Sequence, residues 1–236
     1  MSSVYLNQFV NRWAQAWQRF GATGDGIPDA GTDIMAAYRD PMRFYHGFKH
    51  LESVLWHLDW AKTAMMTTGE LALVMPDERV KMFGEIELAL WYHDAVYDPE
   101  RKDNEEKSRD WFLRDALKFG LPEDVQDNVA HLIDLTAHHK NAKSLPECIM
   151  ADCDLAIFGA EPALFRDYDR NIRREYAHVP APAYKLGRRK VLLGFKDQPQ
   201  VFKTRAFFQY YEKQARKNLD AALDSPLHRL LMLFHK

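Results

Sequence analysis

The chain predicts an all-α fold in one domain, and three observations lead there. Apolar side chains recur at three- and four-residue steps in one segment after another, strict apolar/polar alternation is nowhere sustained, and Pro or Gly punctuates the gaps. A helical chain of 236 residues buries roughly 70–75% of its unfolded surface, so a full core is available.

The elements follow in order. Leu6, Phe9, Val10, Trp13, Trp17 and Phe20 form one stripe and predict a helix over 3–20, its aromatic face turned to the core. Residues 21–31, with Pro28 and two Asp, read as a loop, after which Thr32 or Asp33 is expected to cap a short helix ending at Tyr38. Pro41 marks a break. A longer helix is expected over 48–66, stopped before Thr67-Thr68-Gly69, and another from its N-cap Asp77 to His93-Asp94. The run Asp103-Asn104-Glu105-Glu106 begins a helix with apolar positions Trp111, Phe112 and Leu117, and Gly120 ends it. After Pro122, the positions Val125, Val129, Leu132 and Thr136 make a stripe that His139 continues. Further helices are expected over 149–158, 162–176, 183–195, 207–223 and 226–234. The domain reading is a single unit over 1–236, in which the N-terminal helix 3–20 and C-terminal helices 198–235 pack on a core of residues 40–195.

Composition narrows the function classes. A formal charge of −2, with no long run of one sign, gives no footprint for a nucleic-acid polymer or a membrane surface. The longest apolar runs fall well short of 18 residues, and the first ten residues lack a basic start and an apolar block, so the expectation is a soluble, unprocessed chain. Cys148 and Cys153 form neither a Cys-x-x-Cys nor a zinc knuckle, which fits a reducing cytoplasm. Oligomeric state is not readable, a homo-oligomer included.

Three segments place polar groups where core is expected. The apolar run 88–92 ends on His93-Asp94, an imidazole and a carboxylate that converge on one ion when they sit at a helix end. His93 continues the Met82, Ile86, Ala89 line, and Asp94 the Phe83, Glu87, Leu90 line. Upstream stands Tyr45-His46-Gly47-Phe48-Lys49-His50; downstream, Asp152-Cys153-Asp154 lies in apolar surroundings. Ionisable groups buried this way require partners. His57 and His131 read as packing or supporting residues, and His139 as a secondary-site residue.

The order His, His-Asp, Asp on successive helices resembles the HD superfamily of metal-dependent phosphohydrolases over most of the chain. More narrowly, Tyr45-His46-x-x-x-His50, His93-Asp94 with Tyr97-Asp98, Asp103-Asn104-Glu105 with Ser108, and the run from Asp152 to Gly159 resemble a group of predicted bacterial HD phosphohydrolases whose substrate is unsettled. The resemblance implies His50, His93, Asp94 and Asp154 as metal ligands, with Asp152 the weaker claimant to the fourth place. The segment 45–50 is also similar to one in cyclic-nucleotide phosphodiesterases, which implies His46 as general acid; the context after His93-Asp94 departs from those enzymes, so cyclic nucleotides are not favoured.

Two His and two Asp form an open N2O2 set suited to a divalent ion: manganese, magnesium, iron, cobalt, nickel or zinc, with identity open. The expected reaction is hydrolysis of a phosphate ester or anhydride in a small phosphorylated metabolite, first of all a nucleotide. In that reaction Asp94 orients the nucleophile, His46 protonates the leaving oxygen, and His139 is a further catalytic candidate. Lys49, Arg173, Tyr176 and Arg188 are candidates for substrate contact. The alternatives are a metabolite-binding module without turnover, and a di-iron oxygenase in which His139 serves a second iron.

Overall fold

The structure, a computed structural model, describes residues 3–224; the Leu6 side chain and the helix expected over 226–234 lie outside the described residues. Among the described residues the architecture is all-helical, with no strand. In chain order the helices are α1 (Ser3–Gln18), α2 (Ile27–Ala37), α3 (Phe48–Thr68), α4 (Pro76–Tyr92), α5 (Asn104–Phe119), α6 (Glu123–Leu135), α7 (Leu145–Leu155), α8 (Pro162–Glu175), α9 (Ala181–Lys196) and α10 (Arg205–Leu223). Short 3-10 turns at Thr136–Asn141 and Ala156–Gly159 follow α6 and α7.

Helix α4 is the axis. Every residue from Phe83 to Tyr92 is buried, as expected where a helix is apolar nearly all round, and α1, α3, α5, α6 and α7 pack about it. Its two interior carboxylates are satisfied from the flanks. Glu87 accepts from Arg12 Nε at 2.7 Å and Arg19 Nη1 at 3.2 Å, and Glu85 from Asn128 Nδ2 at 3.0 Å. The aromatic stripe of α1 is core: the Trp13 ring meets Trp91 edge-on at 5.3 Å, and Trp17 meets Phe119 at 5.1 Å. One continuous hydrophobic cluster links these residues to α7–α10. No described helix is long and apolar enough to cross a membrane.

Several local expectations need correction. The helix expected over 149–158 is α7, which begins at Leu145 after the Ser144 N-cap and ends at Leu155, and α3 continues through Thr67 and Thr68. Helix α2 begins at Ile27, not after Gly31, with Pro28 in its first turn, where a missing N–H costs nothing. Gly31 sits inside it because the Trp13 ring lies so close that a Cβ would come within 2.6 Å. Met75 rather than Asp77 is the N-cap of α4; Pro76 opens the helix, Glu78 accepts from Met75 N at 3.2 Å, and Asp77 falls in the first turn. Leu117 is 77% exposed, while Phe112 and Ala116 supply the buried face of α5. The Gly120 stop holds, closing α5 at φ +73°, and α3 is closed by Gly69 at φ +78°.

Candidate metal centre

Helix α3 starts at Phe48, so His50 lies in its first turn and points inward. Helix α4 ends at Tyr92, and His93 is its C-cap. At that end the chain turns, which brings His93 and Asp94 to one point although neighbouring residues on a helix diverge. The turn is clamped by Arg43, whose Nη1 and Nη2 donate to the carbonyls of Asp94 at 2.6 Å and Ala95 at 2.9 Å. It is fastened to α5 by Ser108 Oγ, which accepts from Val96 N at 3.0 Å, and by Asn104, which exchanges two hydrogen bonds with the Asp98 backbone. The Asn-Glu-x-x-Ser pattern thus holds the loop that carries Asp94.

From α7 comes Asp154. The Nε2 atoms of His50 and His93 face each other at 3.1 Å. Asp94 Oδ2 lies 3.3 Å from the first and 3.2 Å from the second; Asp154 Oδ1 lies 3.1 Å and 3.6 Å away. One ligand atom each from His50, His93 and Asp154 falls within 4.8 Å of the others, so these three can hold a metal ion.

The hydrogen-bonding of these residues tests whether a cation suits them. His93 Nδ1 is 2.9 Å from the Leu90 carbonyl, which only accepts, so Nδ1 carries a proton, and in its neutral form the ring turns the Nε2 lone pair to the centre. That lone pair then opposes a second imidazole nitrogen and two carboxylates. Such an arrangement stands only if positive charge sits among them, and an imidazole anchored through its other N–H is the usual ligand geometry. The carboxylate is tied as well, since His139 Nε2 meets Asp154 Oδ2 at 2.6 Å. The donor set fits a metal ion.

Without an ion, protons carry that charge. Burial disfavours the His93 imidazolium, but Asp94, Tyr38 and Asp154 outweigh it and hold its pKa well above the histidine range; His50 is raised on the same balance against Asp154 and Asp94. Burial likewise disfavours the charged carboxylates, yet His93 foremost holds Asp94 and Asp154 well below the usual range.

Asp152 belongs elsewhere. It is fully buried and accepts from Lys203 N at 2.8 Å, Thr204 N at 2.7 Å and Thr204 Oγ1 at 2.8 Å. Its carboxylate anchors the start of α10, which leaves Asp154 as the α7 carboxylate at the centre.

A cavity of about 430 Å³ opens on the centre, lined by Asp94 and Asp154 together with His46, Tyr97, His139 and Tyr176. His46 stacks on Tyr97 at 4.1 Å and is set by Glu175, a residue that motif reading passes over. Glu175 accepts from Tyr45 N at 2.6 Å, His46 N at 2.9 Å, His46 Nδ1 at 2.7 Å and Tyr97 Oη at 3.0 Å. Burial disfavours its charge, but the bond from His46 prevails and keeps the carboxyl below the ordinary glutamate range. A signal was there: Glu175 continues the buried Phe165, Tyr168, Ile172 stripe of α8.

The remaining candidates divide. Tyr176 and Arg188 line cavities beside the centre. Lys49 is exposed and lines neither of those cavities. Arg173 is also outside their walls; its Nη1 donates to the carbonyls of Tyr176 at 2.6 Å and Val179 at 3.1 Å, a tie for the end of α8. His57 hydrogen-bonds the Ser53 carbonyl at 2.7 Å, and His131 pairs with Glu147 at 2.8 Å.

Fold and site together define an all-α protein with a buried His/Asp centre at the floor of a cavity. In comparisons with known proteins, no family model, curated protein or solved structure matches this chain.

Proposed function

We propose that the chain is a metal-dependent phosphohydrolase of the HD type, acting on a phosphate ester or anhydride of a small metabolite, with nucleotides as the first class to test. One observation carries the reading: His50 from α3, Asp154 from α7 and His93 and Asp94 from the turn that ends α4 converge beside a cavity lined by Asp94, Asp154 and His46. His50, His93 and Asp154 would hold the ion, and Asp94 completes the set. Bound there, a divalent ion supplies Lewis acidity toward a phosphoryl oxygen and lowers the pKa of a coordinated water.

The chain's own residues divide the rest. Asp94, whose carboxylate also borders the cavity, orients the attacking water. Glu175 takes the Nδ1 proton of His46 in a hydrogen bond, so the other ring nitrogen is left to carry a proton to the leaving oxygen. His139 acts through Asp154, fixing the carboxylate through its second oxygen, and is a positioning residue.

The test is a metal analysis of protein purified without chelator, followed by a phosphatase panel of nucleotides with manganese, magnesium, iron, cobalt, nickel or zinc added singly. Turnover that depends on one of these ions is expected. Tight binding of a phosphorylated metabolite without turnover would convert the reading to a binding module. Two irons per chain with oxygen consumption would convert it to an oxygenase.

A further inference from the structure

A second cavity of about 450 Å³ lies between α8 and α9, and His46 and Tyr176 stand on the walls of both cavities. Its own lining is aromatic and aliphatic, with Tyr168 and Ile172 from α8 and Tyr184 and Val191 from α9. The Arg188 cation enters this lining, and Arg173 lies 4.7 Å from the centre of the Tyr184 ring. The Arg188 side chain is 9% exposed, its Nε donates to Asp169 Oδ1 at 2.9 Å, and its guanidinium lies 4.9 Å from the centre of the Tyr168 ring.

Two polar atoms here are buried without a hydrogen-bond partner among the described residues: Arg188 Nη2 and the hydroxyl of Tyr184. Residues 184 and 188 are one turn apart on α9, so both groups leave the same face of the helix. A buried donor left unpaired is unfavourable, and nearly all such groups in folded proteins are matched. The matching partner must bring an acceptor. It need not bring a full second charge, because Asp169 already answers Arg188 at Nε, and walls of tyrosine and aliphatic side chains suit a flat apolar body rather than a dianion.

We propose that this cavity seats the leaving group of the hydrolysed ester and selects a planar ring bearing an sp² oxygen, which accepts from Arg188 Nη2 and the Tyr184 hydroxyl while the ring lies against tyrosine. The leaving-group role rests on the phosphohydrolase reading; recognition of the ring does not. Keto nucleobases and aryl carboxylates share this chemistry, and small probes separate them.

Calorimetric titration of the metal-free full chain with inosine, adenosine and benzoate reads recognition without turnover, since none of the three carries phosphate. Inosine or benzoate is expected to bind at least about tenfold more tightly than adenosine, which offers an amine where inosine offers a carbonyl. Tyr184→Phe, which removes one oxygen and little volume, and Arg188→Met are each expected to weaken that binding about tenfold. Inosine binding assigns the cavity to a nucleobase; benzoate binding alone assigns it to an aryl acid. The proposal is overturned if neither probe binds at millimolar concentration, if inosine and adenosine bind equally and benzoate does not, or if folded Tyr184→Phe protein keeps full affinity. Metal-dependent hydrolysis alongside a failure of these probes removes this inference alone, whereas probe binding without hydrolysis on any phosphate removes the phosphohydrolase reading.

Discussion

Asp152 and Asp154 lie two residues apart on α7, and both put a carboxylate inside the protein, yet their surroundings are opposite in kind. Around Asp152 stand two backbone N–H groups and a hydroxyl, each a neutral donor with a proton to give. His139 holds Asp154 Oδ2 at 2.6 Å, while Oδ1 of the same carboxylate faces His50 and His93, whose ring nitrogens also face one another. The first carboxylate has a donor at each oxygen, although burial outweighs them and pushes its pKa up to about 7. The Oδ1 side of the second calls for a cation or extra protons between its neighbours, and on the proposed reading that difference separates an anchoring acid from a ligating one.

The largest effect that would sharpen this contrast is expected at the ligating side. Asp94→Ala should abolish metal retention and turnover together while the far-ultraviolet circular dichroism stays helical. Full activity in that variant would break the distinction, because a carboxylate that close to both imidazoles would then be dispensable. Next comes His46→Gln, for which kcat should fall by about 10²- to 10⁴-fold on substrates with poor leaving groups. Its metal content should be unchanged, and the loss should be much smaller on a nitrophenyl ester, whose departure needs no proton. A uniform loss across leaving groups would remove His46 from proton transfer.

On the anchoring side the effect should be one of stability. Asp152→Ala leaves Lys203 N, Thr204 N and Thr204 Oγ1 without their acceptor, and should lower unfolding stability by about 3 kcal/mol in a denaturant titration. Metal stoichiometry of the folded fraction should not change. Loss of the ion from folded Asp152→Ala protein would show that the two sites are not separate.

The smallest effect is in pH. In metal-free protein the raised values of His50 and His93 stabilise the fold below about pH 6.5, and that contribution is lost as pH rises through them. The depressed values of Asp94 and Asp154 stabilise above about pH 4, and that contribution is lost as pH falls. An ion must displace the histidine protons, so its affinity should rise with pH, roughly tenfold per unit for each proton released. An affinity that is flat between pH 6 and 8 would mean the imidazoles do not ligate.

Much of this was legible before any coordinates. Periodic apolar positions and Pro/Gly breaks carry the helical architecture, and an apolar run that ends in His93-Asp94 marks a helix end where two polar groups meet. His139 was readable as the last member of the α6 stripe, although it reaches Asp154 only because the chain changes to a 3-10 turn with an irregular backbone at His138. The resemblance favoured Asp154 over Asp152, but the residues alone did not decide between them, since the donors that hold Asp152 lie about fifty residues away at the start of α10. Nor was the bond from Glu175 to His46, which spans 129 residues. Arg173 and Arg188 look alike as basic residues on amphipathic helices. One is spent on carbonyls at a helix end and the other enters a cavity, and only the packing of α8 against α9 separates them.

The central claim is that one divalent cation belongs among His50, His93, Asp94 and Asp154. Elemental analysis of protein purified without chelator, run beside Asp154→Asn, tests it directly. One equivalent of a divalent metal per chain in the unaltered protein and none in the variant is the expected result. Protein that arrives metal-free and takes up no ion on dialysis against manganese, iron, cobalt, nickel, zinc or magnesium would contradict it, as would equal metal content in both.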